Sequence, residues 1–366
     1  MIHIVVSAVN IRKGGTLTIL RDCLAALSAR AAAGSLKVTA LVHSRELCLY
    51  PGIDYIEMPD TVRGWLRRLR CEYVTMKSVS RRIAPVDLWL SLHDTTPRVD
   101  ARRQAVYCQT SFPFMRWRWR DFRMDFKIPL FAMFTRFAYR INIHSNSRLI
   151  VQQQWLRKGL SRMLGVAPEK FIVAPPQPRR ELPDFTPRRF PVPAFIYAAT
   201  PDCHKNFEIL CEAARLLEES VGTGRFCVLL TVDGTENRYA RWLKSRWGHV
   251  SSIIFGGLLA RPDLYAAYAG ASCLVFPSRI ETWGLPISEF MHFGKPMILA
   301  DLPYARETSA GSPLTAFFNP ESAAALKELM HEVLLGRLSG FAPVPPAQAE
   351  PDATGWPALI DMLLQS

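Results

Sequence analysis

Two glutamates eight positions apart carry the clearest chemistry in this sequence: Phe276-Pro-Ser-Arg279-Ile-Glu281-Thr-Trp-Gly284-Leu285-Pro286-Ile-Ser-Glu289. Glu281 follows an apolar run, Cys273–Pro277, of the kind that forms a buried strand. Glu289 falls in the first turn of a helix expected over Ser288–Phe293, where its charge suits the helix dipole. The helix amino terminus between them offers free N–H donors, a ready site for an anion. Carboxylates accept hydrogen bonds from hydroxyls. A molecule carrying both a diphosphate and sugar hydroxyls would use every part of that arrangement.

Other chemistry-bearing residues also sit just after apolar runs. Lys205 and Asn206 follow the expected strand Ala194–Ala199, and Gly14-Gly15 follows His3–Ala8. His93-Asp94 follows Val86–Leu92, and Tyr107-Cys-Gln109 closes Gln104–Gln109. Glycine lets a backbone approach a ligand closely or make a tight turn. His93-Asp94 fits either a polar contact to substrate or a strand-end pair satisfied by its own neighbours.

These positions require a scaffold of alternating strands and helices. In the first half, strands are expected at His3–Ala8, Leu36–Val42, Val86–Leu92, Gln104–Gln109 and Arg140–Ile143, with a helix over Thr16–Arg30. A proline-rich stretch, Ala174–Pro178 with Pro183, Pro187, Pro191 and Pro193, breaks helix and sheet and reads as a linker. The alternation then restarts, with strands at Phe226–Val232, Ser252–Phe255 and Pro296–Leu299 and helices at Asn206–Glu218, Asp263–Ala269 and Glu321–Leu335. The pattern predicts an α/β protein of two doubly wound domains, over residues 1–178 and 190–345. A last helix at 352–366 returns to the first domain. Such folds bind ligands at the carboxyl ends of their strands, and an interdomain cleft is the expected place for a substrate.

The Glu281/Glu289 segment, with its internal Gly-Leu-Pro, resembles the E-x7-E signature of retaining glycosyltransferases of family 4, which have the GT-B fold. Phe255-Gly-Gly-Leu258-Leu259 followed by Leu264-Tyr-x-x-Tyr268, Tyr197…Lys205-Asn206-Phe-Glu-x-Leu, and Gly165–Pro176 are similar to further segments of that family. Gly14-Gly15 matches its N-terminal glycine loop. The likeness is strongest over about 140–310.

The resemblance implies that Glu289 holds the donor's ribose hydroxyls and that Glu281 faces the transferred sugar. The backbone at Gly284, Leu285 and Pro286 would approach sugar and phosphates. Lys205, with Asn206 beside it, would neutralise the leaving diphosphate. Leu258 and Leu259 would line the nucleobase pocket, and Gly14 and Gly15 would approach the donor phosphate or the acceptor. Many relatives carry an arginine shortly before the loop lysine, where this chain has Asp202. Either Arg279 supplies that second charge or Lys205 acts alone. His93 is the preferred catalytic contact on the acceptor side. No cofactor and no metal are expected, in keeping with the lack of a D-x-D motif.

Between Arg102 and Arg140 the net charge is +7 in 39 residues. The core of this stretch, Arg116-Trp117-Arg118-Trp119-Arg120, suits an anionic inner-membrane surface or an acceptor carried on a lipid diphosphate. It equally fits a helix covering its own domain, with arginine stems laid along apolar surface.

Composition closes off several classes. The chain has 366 residues, 49% hydrophobic and 21% charged, which excludes disorder throughout. Its eight cysteines form no C-x-x-C pair and read as reduced thiols, and no apolar run reaches the about 20 residues of a membrane span. Met1–Val9 lacks a basic leader and reads as a first strand, so the chain is expected in the cytoplasm, peripheral to the inner membrane at most. The net charge of +13 calls for an anionic partner, with nucleic acid, anionic lipid and phosphorylated substrates as candidates, or for a surface reason.

The reading is a metal-independent retaining hexosyltransferase. It would move a hexose or deoxyhexose from a nucleotide-sugar to a saccharide acceptor, in O-antigen or exopolysaccharide (lipopolysaccharide-type) assembly. The alternatives are a GT-B-shaped sugar-nucleotide epimerase, a phosphorylase, a non-catalytic subunit with a relic donor site, and a basic nucleic-acid-binding protein. The last leaves the glutamate pair unexplained, so no nucleic-acid partner is expected.

Overall fold

The computed structural model describes residues 1–62, 64–177 and 182–365. By internal contacts the chain forms two units: Met1–Pro113 with Met133–Gln177 and Glu350–Ser366, and Phe114–Ala132 with Pro178–Ala349.

The first unit is built on strands β1 (Ile2–Ala8), β2 (Leu36–Val42), β3 (Ile53–Glu57), β4 (Leu88–Ser91), β5 (Arg103–Tyr107), β6 (Arg148–Val151) and β7 (Phe171–Val173). All pair in parallel, in the order β3-β2-β1-β4-β5-β6-β7. Helix α1 (Gly14–Ala32) follows β1. Next come α2 (Trp65–Arg70), a π-turn at Cys71–Thr75 and α3 (Met76–Arg82). α4 (Trp119–Met124), which clusters with the second unit, α5 (Lys127–Arg140), which runs across the division between the units, and α6 (Gln154–Leu164) lie before the linker. The strand expected at Arg140–Ile143 is not one: α5 runs to Arg140, a 3-10 turn follows at Ile143–Ser145, and the strand begins at Arg148. Asn142, left-handed at φ +57°, stops the helix there.

The second unit carries β8 (Ala194–Tyr197), β9 (Cys227–Leu230), β10 (Ile253–Phe255), β11 (Cys273–Phe276), β12 (Met297–Ala300) and β13 (Thr315–Phe318), again all parallel, in the order β10-β9-β8-β11-β12-β13. Between them run α7 (Phe207–Val221), α8 (Arg238–Trp247), α9 (Arg261–Gly270), α10 (Leu285–Met291), α11 (Pro303–Thr308) and α12 (Ala323–Leu334). The last helix, α13 (Gly355–Gln365), packs in the first unit: Leu359, Ile360 and Leu363 join the core of Ile4, Leu20 and Leu24, and Arg30 pairs with Asp361 at 2.6 Å. Of the proline-rich linker, 174–177 and 182–193 form neither helix nor strand, and Pro178 lies outside the described residues.

Both sheets reverse direction of growth once, between β1 and β4 and between β8 and β11. In doubly wound sheets these switch points leave a crevice at the strands' carboxyl ends. The expected α/β, GT-B class holds at the level of each sheet, and its logic predicts where side chains should gather.

Candidate functional site in the second unit

At the β8/β11 switch point two loops meet. The first runs from β8 through Lys205 to Asn206. Asn206 takes φ +58°, a conformation asparagine tolerates, and so opens α7. The second runs from β11 through Glu281 to Gly284, left-handed at φ +92°, and into α10.

Several bonds stitch the loops together. The Arg279 N–H donates to the His204 carbonyl at 2.8 Å, and Asn206 Nδ2 donates to Pro277 O at 3.2 Å and to Pro320 O at 2.9 Å. From beneath, the Tyr197 hydroxyl donates to Lys205 O at 2.8 Å, its ring packed on Phe207 and Phe276. The outcome is an ion pair: Lys205 Nζ stands 2.6 Å from Glu281 Oε1, both side chains largely buried.

The loop before α10 is held by residues the motif does not contain. Tyr304 on α11 donates to Ser278 O at 2.6 Å, Thr308 donates to Trp283 O, and Trp283 Nε1 donates to Ser288 Oγ at 3.2 Å. Helix α10 starts at Leu285, with Pro286 pre-set for a first turn, rather than at Ser288. Glu289 is therefore its fifth residue, past the turn where the dipole acts most strongly. Its carboxylate lies by α9: burial first, and then the Glu289 charge, pushes the Tyr268 phenol well above its ordinary range.

Arg279 is not free to meet a phosphate. Its side chain is buried, Nη2 donating to both carboxylate oxygens of Asp121 at 2.8 and 2.9 Å and to Cys203 O at 3.0 Å. Asp121 is buried too and also accepts from the Arg118 N–H, which caps α4. Arg279 thus clamps the loop that bears Lys205. Sequence reasoning misses Asp121, because nothing in its surroundings marks it as a counter-ion to a residue 158 positions away.

The Arg116–Arg120 stretch clusters with this second unit and is corrected in the same way. Arg118 pairs with Glu321 and stands 3.6 Å from Glu208. Arg120 pairs with Glu208 and lies over the Trp242 ring at 5.3 Å. Glu208 is buried, and a buried carboxylate needs such partners, so these two arginines are drawn inward. Trp117 lies beside Asp121, Cys203 and His204. Only Arg116 and Trp119 of the five point outward. Leu258, expected in a nucleobase pocket, is 89% exposed, while Leu259 is half-buried.

The first unit repeats the logic at β1/β4. Gly14 (φ +70°) and Gly15 open α1 and are exposed. His93 follows β4 but is 1% exposed: Nε2 lies 3.1 Å from Ser7 Oγ and Nδ1 3.0 Å from Thr95 Oγ1, with Glu72 3.5 Å away. Glu72 in turn pairs with Arg68 at 2.8 Å. Of the two readings of His93, the structure shows the satisfied one; no atom of it is open to a substrate. Asp94 accepts from the N–H groups of Gln109 and Thr110, so it orders the next loop.

Among the described residues no three His, Cys, Asp or Glu side chains converge as a metal site would, and no helix is long and apolar enough to cross a membrane. All eight cysteines are free and buried.

Comparison with known proteins converges on the same segment. Residues 193–335 match the family model of group 1 glycosyl transferases, a span that holds Lys205, Glu281 and Glu289. No curated protein matches the chain. Among solved structures, sucrose-phosphate synthase from Thermosynechococcus elongatus superposes with a TM-score of 0.66 at 16% identity, over 92% of this chain and 90% of that one. WaaG, a glycosyltransferase involved in lipopolysaccharide biosynthesis, gives 0.61 at 15%, over 91% and 90%. Anabaena HepE in complex with UDP gives 0.59 at 13%, over 92% and 90%. Residues 193–335 of the second unit are thus similar to a group 1 glycosyl transferase domain, and the fold is GT-B.

Proposed function

We propose that this chain is a retaining glycosyltransferase that moves a hexose or deoxyhexose from a nucleotide-sugar to a saccharide acceptor on a lipid diphosphate, in surface-polysaccharide assembly. The observation that carries the reading is the Lys205–Glu281 pair, held at the switch point inside the segment that matches the glycosyltransferase model.

Without ligand, each charge satisfies the other. A bound donor offers both of them better partners. Its diphosphate takes the Lys205 ammonium, and Glu281 is released to accept from the sugar's hydroxyls. As the bond from the anomeric carbon to phosphate breaks, charge builds on the departing diphosphate, and Lys205 is already aimed at it. The acceptor hydroxyl oxygen forms its new bond to the anomeric carbon on the face the diphosphate leaves, and its proton passes to the departing diphosphate. Lys205 carries this charge without a metal. Glu289 holds the ribose hydroxyls, the backbone at Gly284–Pro286 flanks the sugar, and the half-buried Leu259 lies against the base. Since HepE was crystallised with UDP, uridine nucleotides are the first donors to try.

The test is a thermal-shift panel of nucleotides and nucleotide-sugars, with and without EDTA. Stabilisation by one nucleotide family, unchanged by EDTA, is the expected result. No shift with any of them refutes the donor site, and a shift abolished by EDTA refutes its independence from metal.

A further inference from the structure

Helix α5 exposes the wrong face for a water-soluble helix. Phe126 just before it, Leu130, Met133, Phe134, Phe137 and Ile141 just after it are all exposed, Phe134 at 64% and Phe137 at 59%. At 3.6 residues per turn these six positions fall within an arc of about 100°, a continuous stripe about 20 Å long. The opposite side is the one that packs: Ala132, Thr135 and Tyr139 are buried. A run of large apolar side chains along one exposed helix face marks an interaction surface rather than scattered surface hydrophobics.

The charges around it select the occupant. Exposed Lys127 borders the stripe on one side and exposed Arg136 and Arg140 on the other, Arg140 also donating to Met163 O. The nearest acid is Asp125, which accepts from the Lys127 N–H, and no Asp or Glu follows until Glu169. A second copy docking face to face would set these cations against their own counterparts. A lipid surface with anionic headgroups takes the stripe into its acyl boundary and leaves the cations at headgroup level.

We propose that α5 lies in the plane of an anionic lipid bilayer and is the element by which this protein docks there. The Arg116–Arg120 stretch does not serve, because its central arginines are spent on Glu208 and Glu321. The proposal deepens the reading of a lipid-borne acceptor and rests on it for its purpose. Its test uses neither donor nor acceptor, so the failure of either idea is seen separately.

The experiment is sedimentation of the full chain with vesicles of phosphatidylcholine alone, or of phosphatidylcholine and phosphatidylglycerol in equal parts. Wild type should sediment with the mixed vesicles only, and high salt should weaken the binding. Phe134→Ser/Phe137→Ser should lower the partition coefficient about tenfold or more. Both side chains are exposed, so the fold should persist, as circular dichroism would verify. Lys127→Gln/Arg136→Gln, which leaves the apolar stripe in place, should lose the preference for anionic vesicles. Trp119→Ser should bind as wild type. The proposal is overturned if wild type ignores the mixed vesicles, if it binds neutral ones equally, or if Trp119→Ser releases it while the double phenylalanine variant stays bound. A dimer in solution that the phenylalanine variant converts to monomer also overturns it, in favour of a second copy.

Discussion

Lys205 and Glu281 lie 76 positions apart in sequence and 2.6 Å apart in space, each the other's counter-charge at the carboxyl ends of β8 and β11. If Lys205 passes to the donor's diphosphate, Lys205→Ala should weaken nucleoside-diphosphate affinity by about tenfold to a hundredfold. The uncharged nucleoside should bind as before. Calorimetry with both ligands reads the difference, and equal affinities for wild type and variant would remove the phosphate role.

Glu281 and Glu289 should separate in their effects. Glu281→Gln should slow transfer by about a hundredfold or more while changing nucleotide affinity little, because its partner is the transferred sugar. Glu289→Ala should weaken ribonucleotide binding by about tenfold and leave a 2′,3′-dideoxy nucleotide indifferent. A Glu289→Ala variant that loses equal affinity for both nucleotides has lost packing by Tyr268, not a ribose contact.

The Arg279–Asp121 pair makes the opposite prediction from a phosphate contact. Both side chains are buried, so Asp121→Ala strands a buried guanidinium and should cost about 3 kcal/mol or more of stability, read from the urea midpoint. Asp121→Leu with Arg279→Met should recover much of that loss, since two apolar groups leave no charge behind. If Arg279→Met alone lowers nucleotide affinity without moving the midpoint, the clamp is the wrong account.

Acid should destabilise the first unit through His93. Burial holds its imidazole down at about 4 against an ordinary 6.5, outweighing the Glu72 carboxylate that favours the charged form. The unfolded chain takes up the proton below about 6.5 and the native one only near 4. Stability is therefore full above about 6.5 and falls as pH drops toward 4, by up to about 3 kcal/mol from this group. His204, buried and held well below its range by burial and by the Lys205 and Arg279 charges, adds a loss of the same sign. His93→Gln should flatten part of the slope of the urea midpoint across about pH 7.5 to 4.5. An unchanged slope would mean that His93 is not buried neutral.

Much of this architecture is legible because parallel strands covered on both faces are nearly unbroken apolar runs. β1, β2, β8 and β11 stand out for that reason, and finding the loop after each is then a matter of counting. β3, Ile-Asp-Tyr-Ile-Glu, lies at the sheet edge and is half exposed, so its signal is weak. β7, of three residues, is too short to carry a pattern. α5 escapes because its large apolar residues face outward, where amphipathic logic expects the core.

In the sequence, spacing marks Glu281 and Glu289, and the family resemblance adds Lys205. Neither shows which way an arginine turns. Arg116 to Arg120 read alike in sequence, yet Arg118 and Arg120 turn inward because Glu208, on a distant helix, is buried and must be neutralised. Arg279 is drawn to Asp121 for the same reason. Long-range counter-ions are set by folding, not by local pattern.

The membership of residues 114–132 in the second unit bears on recombination. A chimera made by a single crossover in the linker would take α7 and β11 from this chain and α4 from another. Glu208 and Arg279 would then be left inside the graft without Arg118, Arg120 and Asp121. A working graft of the second unit has to be assembled from two pieces of this chain, with 114–132 as the smaller one. Libraries shuffled only at the linker should yield insoluble products wherever the incoming α4 lacks an acid at the position of Asp121.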